Sequence, residues 1–169
     1  MNNIYIIGFM GTGKSATGRE LARRMARDFI DLDAEIEREQ GKTIKEIFVQ
    51  DGEDVFRRLE SRQLETVASK DKVVVACGGG IVTVAENVPV MKKTGKVLCL
   101  TASLQELENR TAGSNRRPLL DTENLGQAIR ELFGKRLPLY KAAADITVDT
   151  TRMSPDQTAE FALTLIGKG

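Results

Sequence analysis

Near the start of the chain, Gly8-Phe9-Met10-Gly11-Thr12-Gly13-Lys14-Ser15 fits the spacing G-x-x-x-x-G-K-[ST]. Glycines at those places let successive backbone N–H groups turn inward on an anion. A helix opening at the lysine adds its positive end, the Lys14 ammonium reaches the β and γ oxygens of a nucleotide, and the Ser15 hydroxyl ligates Mg2+. The motif needs a strand before it and a helix after it. Its flanks comply: residues 4–7 are an apolar run, and residues 14–27 set Leu21, Ala22 and Met25 on one helical face.

Three further groups could act beside such a site. Asp31 and Asp33 lie two apart at the end of a predicted strand, 29–32, which sends both side chains to one side of the edge where a parallel sheet binds ligands. One carboxylate then serves the magnesium side through water and the other faces an acceptor hydroxyl; a solvated strand end, with Asp33 capping a helix from Ala34, has the same residues. Gly78-Gly79-Gly80 follows the apolar run 73–77 and lets a ligand touch backbone N–H groups, as a flexible turn also would. Arg57, with Glu53 four residues before it and Glu60 three after, Arg117, and Arg136 just before Pro138 are suited to bidentate recognition of a carboxylate or phosphate. Any one arginine is ordinarily a solvated surface residue, so the weight lies on the constellation.

The elements that must position these groups alternate. Predicted strands at 4–7, 29–32, 73–77, 97–100 and 146–148 are short and apolar, and predicted helices at 14–27, 34–40, 53–69, 104–110 and 125–142 separate them. Thr43 with Glu46 is a capping-box pattern, and Ser154-Pro155 is a good start for a last helix. Short all-apolar strands between helices predict an α/β fold, a parallel sheet covered on both faces. Residues 111–124 show no period and read as a mobile functional loop.

Composition narrows the chemistry. The 169 residues carry 25 Lys plus Arg against 24 Asp plus Glu, a balance that argues against nucleic-acid and anionic-membrane partners. There is no histidine, which removes His-based nucleophile systems, His-ligated zinc and His general bases. Cys77 and Cys99 are too few for a disulfide scaffold and lie in apolar runs, as buried thiols of a reducing compartment do. With no secretory leader visible, the chain is read as mature and cytoplasmic. There is no N-K-x-D run for guanine and no strand-borne D-x-x-G switch, so a GTPase-type timer is disfavoured.

In order along the chain, GFMGTGKS (8–15), DLD (31–33), FRRLE (56–60), GGG (78–80), RPLL (117–120) and KRLPLY (135–140) resemble the shikimate kinases, small P-loop kinases related to nucleoside monophosphate kinases. The resemblance covers nearly the whole chain. It implies a three-layer P-loop NTPase fold with a five-stranded parallel sheet of order 2-3-1-4-5. It also implies a single domain over 1–169, with a substrate-binding region near 33–60 and a lid over 112–124. The reaction implied is transfer of the γ-phosphoryl of ATP, with Mg2+, to the 3-hydroxyl of shikimate, in the pathway to aromatic amino acids.

By the same resemblance Lys14 and Arg117 hold phosphates, with Gly11, Thr12, Gly13, Ser15 and Ala16 around the nucleotide. Ser15 binds Mg2+ directly and Asp31 through water. Asp33 binds the acceptor hydroxyl and is its base, Arg57 and Arg136 take the shikimate carboxylate, Gly78, Gly79 and Gly80 contact substrate, and Glu60 orients Arg57. Arg110 and Pro155 match adenine-site positions. Ala16 stands where the family usually has Thr, and Arg116 adjoins Arg117 in the lid. A gluconate or nucleoside monophosphate kinase is the alternative within the enzyme class, and a nucleotide-binding regulatory module the alternative outside it. A monomer is expected, since no exposed apolar seam is evident.

Overall fold

The computed structural model describes residues 2–111 and 124–167. Among the described residues, five strands, β1 (Asn3–Gly8), β2 (Asp28–Asp31), β3 (Val73–Ala76), β4 (Gly95–Thr101) and β5 (Ile146–Asp149), are interspersed with eight α-helices. These are α1 (Lys14–Met25), α2 (Leu32–Gln40), α3 (Ile44–Gln50), α4 (Glu53–Ala68), α5 (Asn87–Thr94), α6 (Leu104–Thr111), α7 (Leu125–Ala143) and α8 (Pro155–Ile166). All strand pairs are parallel, in the order β2-β3-β1-β4-β5, as the resemblance implied.

Alternation along the strands divides the interior. Tyr5, Ile7, Val73, Val75, Val97 and Cys99 face one layer with Leu64, Met91 and Tyr140. Ile4, Ile6, Val74, Leu98 and Leu100 face the other, against Leu21 and Ala22 of α1 and Ala159 and Ala162 of α8. Both faces being covered is why the strands read as unbroken apolar runs. A third, smaller cluster of Ile36, Ile47 and Phe56 joins α2, α3 and α4 away from the sheet.

Two boundaries beside the site differ from expectation, and two elements were not expected. Helix α1 stops at Met25, because Ala26 takes a left-handed conformation (φ 51°) while the Arg27 N–H closes on the Ala22 carbonyl at 2.9 Å, a Schellman-type end. Strand β2 ends at Asp31 and the chain enters α2 at once. Helix α5 and a 3-10 turn at Ile81–Thr83 had no counterpart in the sequence reading. Pro89 sits in the first turn of α5, where its missing N–H costs nothing, and the residues before it have no marked period. The capping boxes at Thr43/Glu46 and Ser154/Gln157 are both formed. Among the described residues no helix is long and apolar enough to cross a membrane.

Candidate active site

The C-terminal ends of β1, β2 and β3 open onto one cavity of about 990 Å3. At the end of β1, Gly8 has φ +143°, and a Cβ there would run into the Leu100 carbonyl, so only glycine lets the chain leave the sheet at this point. Gly11 and Gly13 are left-handed (φ 82° and 86°), turning the loop over the start of α1. That helix has no side-chain cap and no acidic residue in its first turn, which leaves its positive end for an anion. The Lys14 ammonium folds back to the Phe9 carbonyl at 3.0 Å.

The loop is braced from behind. Arg110, paired with Glu106 at 2.6 Å, donates to the carbonyls of Gly11 (3.2 Å) and Thr150 (2.9 Å) and to the Thr150 hydroxyl (3.1 Å). The buried Thr150 hydroxyl lies 3.1 Å from the Thr101 carbonyl and 3.3 Å from that of Thr12. The end of β4, the residue after β5, α6 and the phosphate loop therefore meet at one hydroxyl.

On the other side, the Ser15 hydroxyl donates to Asp31 at 2.6 Å, and the second Asp31 oxygen accepts the Ala34 N–H at 3.3 Å. Asp31 is thus the N-cap of α2, and Asp33 sits in the first helical turn. This removes one alternative and corrects one expectation: Asp33 does not cap the helix, and the two carboxylates do not share a strand face, because β2 ends between them. Both nevertheless line the cavity. Burial, then the charge of Asp31, pushes the Asp33 carboxyl up to about 6, and its Oδ1 has no hydrogen-bond partner among the described residues.

Arg57 lies on α4 between Glu60 (2.8 Å) and Glu53 (3.0 Å). Glu60 is fully buried, and burial pushes its carboxyl up to about 7 against the pull of Arg57. Arg136 is buried on α7, one turn before Tyr140, whose hydroxyl donates to the Gly79 carbonyl. The glycine run is explained by space. None of the three has a positive φ, but a Cβ on Gly78 would press on the carboxylates of Glu60 and Asp33, and one on Gly80 on the Arg57 guanidinium. The run forms a hydrogen-bonded turn, with the Ile81 and Thr83 N–H groups bonding the carbonyls of Gly78 (3.1 Å) and Gly80 (2.9 Å).

Gly11, Gly13, Lys14, Ser15, Ala16, Asp31, Asp33, Arg57, Gly78, Gly79, Gly80, Arg110 and Arg136 all reach this cavity. Thr12 is buried within the loop and bonds the Phe9 carbonyl at 2.8 Å, and Pro155 opens α8 outside the cavity lining. Arg116, Arg117 and the lid expected at 112–124, apart from the α7 cap Asn124, lie outside the described residues. Sequence reasoning missed Glu37, Lys45 and Phe48, which also line the cavity, and the brace at Thr150. Glu37 was detectable, for it lies four residues after Asp33 and so on the same helical face.

Among the described residues no three His, Cys, Asp or Glu side chains group to hold a metal. The Ser15 hydroxyl and Asp31 carboxylate beside the phosphate loop are the hard oxygen pair that suits Mg2+, which takes its other positions from phosphates and water. A family model described as shikimate kinase matches residues 10–166. The chain belongs to the shikimate kinase family. It is 42% identical over 160 residues, 95% of this chain and 92% of the relative, to shikimate kinase of Thermodesulfovibrio yellowstonii. It is 44% identical over 157 residues, 93% and 94% of the two chains, to that of Persephonella marina. The solved structure of shikimate kinase from Acinetobacter baumannii in complex with shikimate matches with a TM-score of 0.96 and 39% identity, over 99% of this chain and 94% of that one. Shikimate kinases are ATP- and Mg2+-dependent enzymes that phosphorylate a shikimate hydroxyl, and the sheet order here is that of the fold the resemblance implied.

Proposed function

We propose that this cavity moves the γ-phosphoryl of ATP to the 3-hydroxyl of shikimate, giving shikimate 3-phosphate and ADP. The observation that carries the reading is the two-ended cavity. The phosphate loop with Lys14 and Ser15 forms one end, and Asp33, Arg57 and Arg136 gather around Gly78–Gly80 at the other. Family membership and the shikimate complex of the Acinetobacter baumannii relative support the acceptor. A gluconate or nucleotide acceptor has no comparable support, and a regulatory module would leave Asp33 without a task.

Phosphoryl transfer asks for alignment and charge neutralisation more than for covalent work by the protein. Arg57, held by Glu53 and Glu60, and Arg136 grip the acceptor carboxylate, which fixes the ring over Asp33. The ionised Asp33 carboxylate orients the 3-hydroxyl and takes its proton as the oxygen bonds to phosphorus and the bond to ADP breaks. Lys14 and the N–H groups of residues 11–16 hold the phosphates in line. Ser15, and Asp31 through water, would hold Mg2+, which would supply charge neutralisation on the phosphate oxygens. Arg117 and the lid over residues 112–124, both carried over from the family pattern and outside the described residues apart from Asn124, would meet the transferring group and exclude the water that would otherwise hydrolyse ATP.

In this reading residues 1–169 act as one domain, with 33–60 as the acceptor side, and work as a monomer. The buried, unpaired Cys77 and Cys99 suit the reducing cytoplasm. The test is Mg-ATP-dependent ADP release with shikimate, gluconate, AMP, CMP or no acceptor. Stimulation by shikimate alone is expected; stimulation by another acceptor would overturn the substrate assignment, and none at all would favour the regulatory module.

A further inference from the structure

Helix α3 forms the outer wall of the acceptor side, with Ile44, Lys45 and Phe48 lining the cavity. It rests on the small cluster of Ile36, Ile47 and Phe56 with Ile44, Phe48 and Leu59, apart from the two cores on the sheet. A seven-residue helix gains little from its own hydrogen bonds, so what fixes its start matters. Within α3 the Thr43 hydroxyl accepts the Glu46 N–H (3.2 Å), and the Glu46 carboxylate accepts the Thr43 N–H (2.7 Å). The Ile44 N–H is satisfied from another element: it donates to Glu37 Oε1 on α2 at 2.9 Å. Glu37 itself lines the cavity, one turn after Asp33.

We propose that Glu37 is a positioning residue for the acceptor, latching the N-terminus of α3 to the helix that carries Asp33. Three facts converge on it. The bond is charge-assisted at a helix N-terminus, where a carboxylate is most favourable. Asp33 and Glu37 occupy one face of α2, so the spacing between the reacting carboxylate and the far wall is set through a single helix. The wall it holds carries an apolar ring at Phe48 and a cation at Lys45, the two surface types an amphipathic acid requires. Glu37 need not touch the acceptor to act this way; it decides where Ile44, Lys45 and Phe48 stand.

The inference rests on the shikimate reading for its kinetic consequence but not for the latch itself, and two readouts separate them. In Glu37→Ala, KM for shikimate should rise about tenfold, the scale of one charge-assisted hydrogen bond, with KM for ATP within about twofold and kcat within about threefold. Glu37→Gln keeps an accepting oxygen and should recover most of the loss. Amide exchange at Ile44, followed without any substrate, should quicken in the Ala variant and stay slow in the Gln variant. Unchanged Ile44 exchange in Glu37→Ala would overturn the latch whatever the substrate is. Altered exchange with KM for shikimate unmoved, or KM for ATP and shikimate rising together, would overturn the positioning role. A wild-type protein that ignores shikimate would instead overturn the acceptor reading, with the exchange result still deciding the latch.

Discussion

Asp33 and Glu60, from different helices, bring carboxylate oxygens to the same side of Gly78, and neither Asp33 Oδ1 nor Glu60 Oε1 has a hydrogen-bond partner among the described residues. Two buried acids facing one glycine amount to stored acceptor capacity at the point where a hydroxylated ring would lie. Burial raises both, Asp33 to about 6 and Glu60 to about 7, and the consequences differ for rate and for stability.

For the rate, Asp33 must be ionised to accept a proton. Turnover should therefore hold above about pH 7 and fall roughly tenfold per unit below about pH 6. A pH–rate profile with saturating ATP checks this, and a flat profile down to pH 5 would remove Asp33 as the base.

Stability should move the other way. A carboxyl whose folded pKa lies above its unfolded value binds more protons when folded, so these two groups cost stability once ionised; relief begins as pH falls through about 7 to 6 and continues down to the ordinary carboxylate range near about 4. Glu20, held down to about 2 chiefly by Arg23, titrates well below that window. Replacing Glu60 by Gln should flatten the stability change between pH 8 and pH 5.5, measured by denaturant unfolding; a change as steep as in the parent would show that Glu60 does not titrate there.

Asp33→Asn keeps the shape and removes the base. Turnover should drop at least about a hundredfold while nucleotide affinity, read by calorimetry, stays within about twofold. Near-normal turnover would assign the proton elsewhere.

Thr150→Val deletes the hydroxyl at which Arg110, Thr12 and Thr101 meet. Leaving buried partners unpaired should cost about 1–3 kcal/mol of stability and raise KM for ATP several-fold, with KM for shikimate little changed. Thr150→Ser should restore both. A Val variant with unaltered ATP kinetics would show that the loop keeps its shape without this brace.

Most of the sheet could be read from the chain because parallel strands covered on both faces must be apolar throughout, and β1, β3 and β4 carry that mark. The phosphate loop was legible for a similar reason: its glycines, lysine and serine are demanded by local geometry. The acceptor side was only partly so. Asp33 could be picked out, but its place on a helix could not, since whether the strand stops at Asp31 depends on a cap formed by that same residue. The need for Gly78 and Gly80 is also tertiary, coming from Glu60, Asp33 and Arg57 on other helices. Thr150 shows no local signal, because its partners lie 40 to 138 residues away.

The separate packing of Ile36, Ile47 and Phe56 has a bearing on how such a chain could be redesigned. Its acceptor wall rests on a small hydrophobic unit of its own, so substitutions there draw on local stability and leave the sheet and nucleotide loop intact. Helix α3 with the residues of α2 and α4 that face it is therefore a natural cassette, while Leu32 and Leu64, which belong to the sheet core, stay fixed. Libraries confined to it could retune which hydroxyl is phosphorylated without rebuilding the machinery that delivers the phosphoryl group.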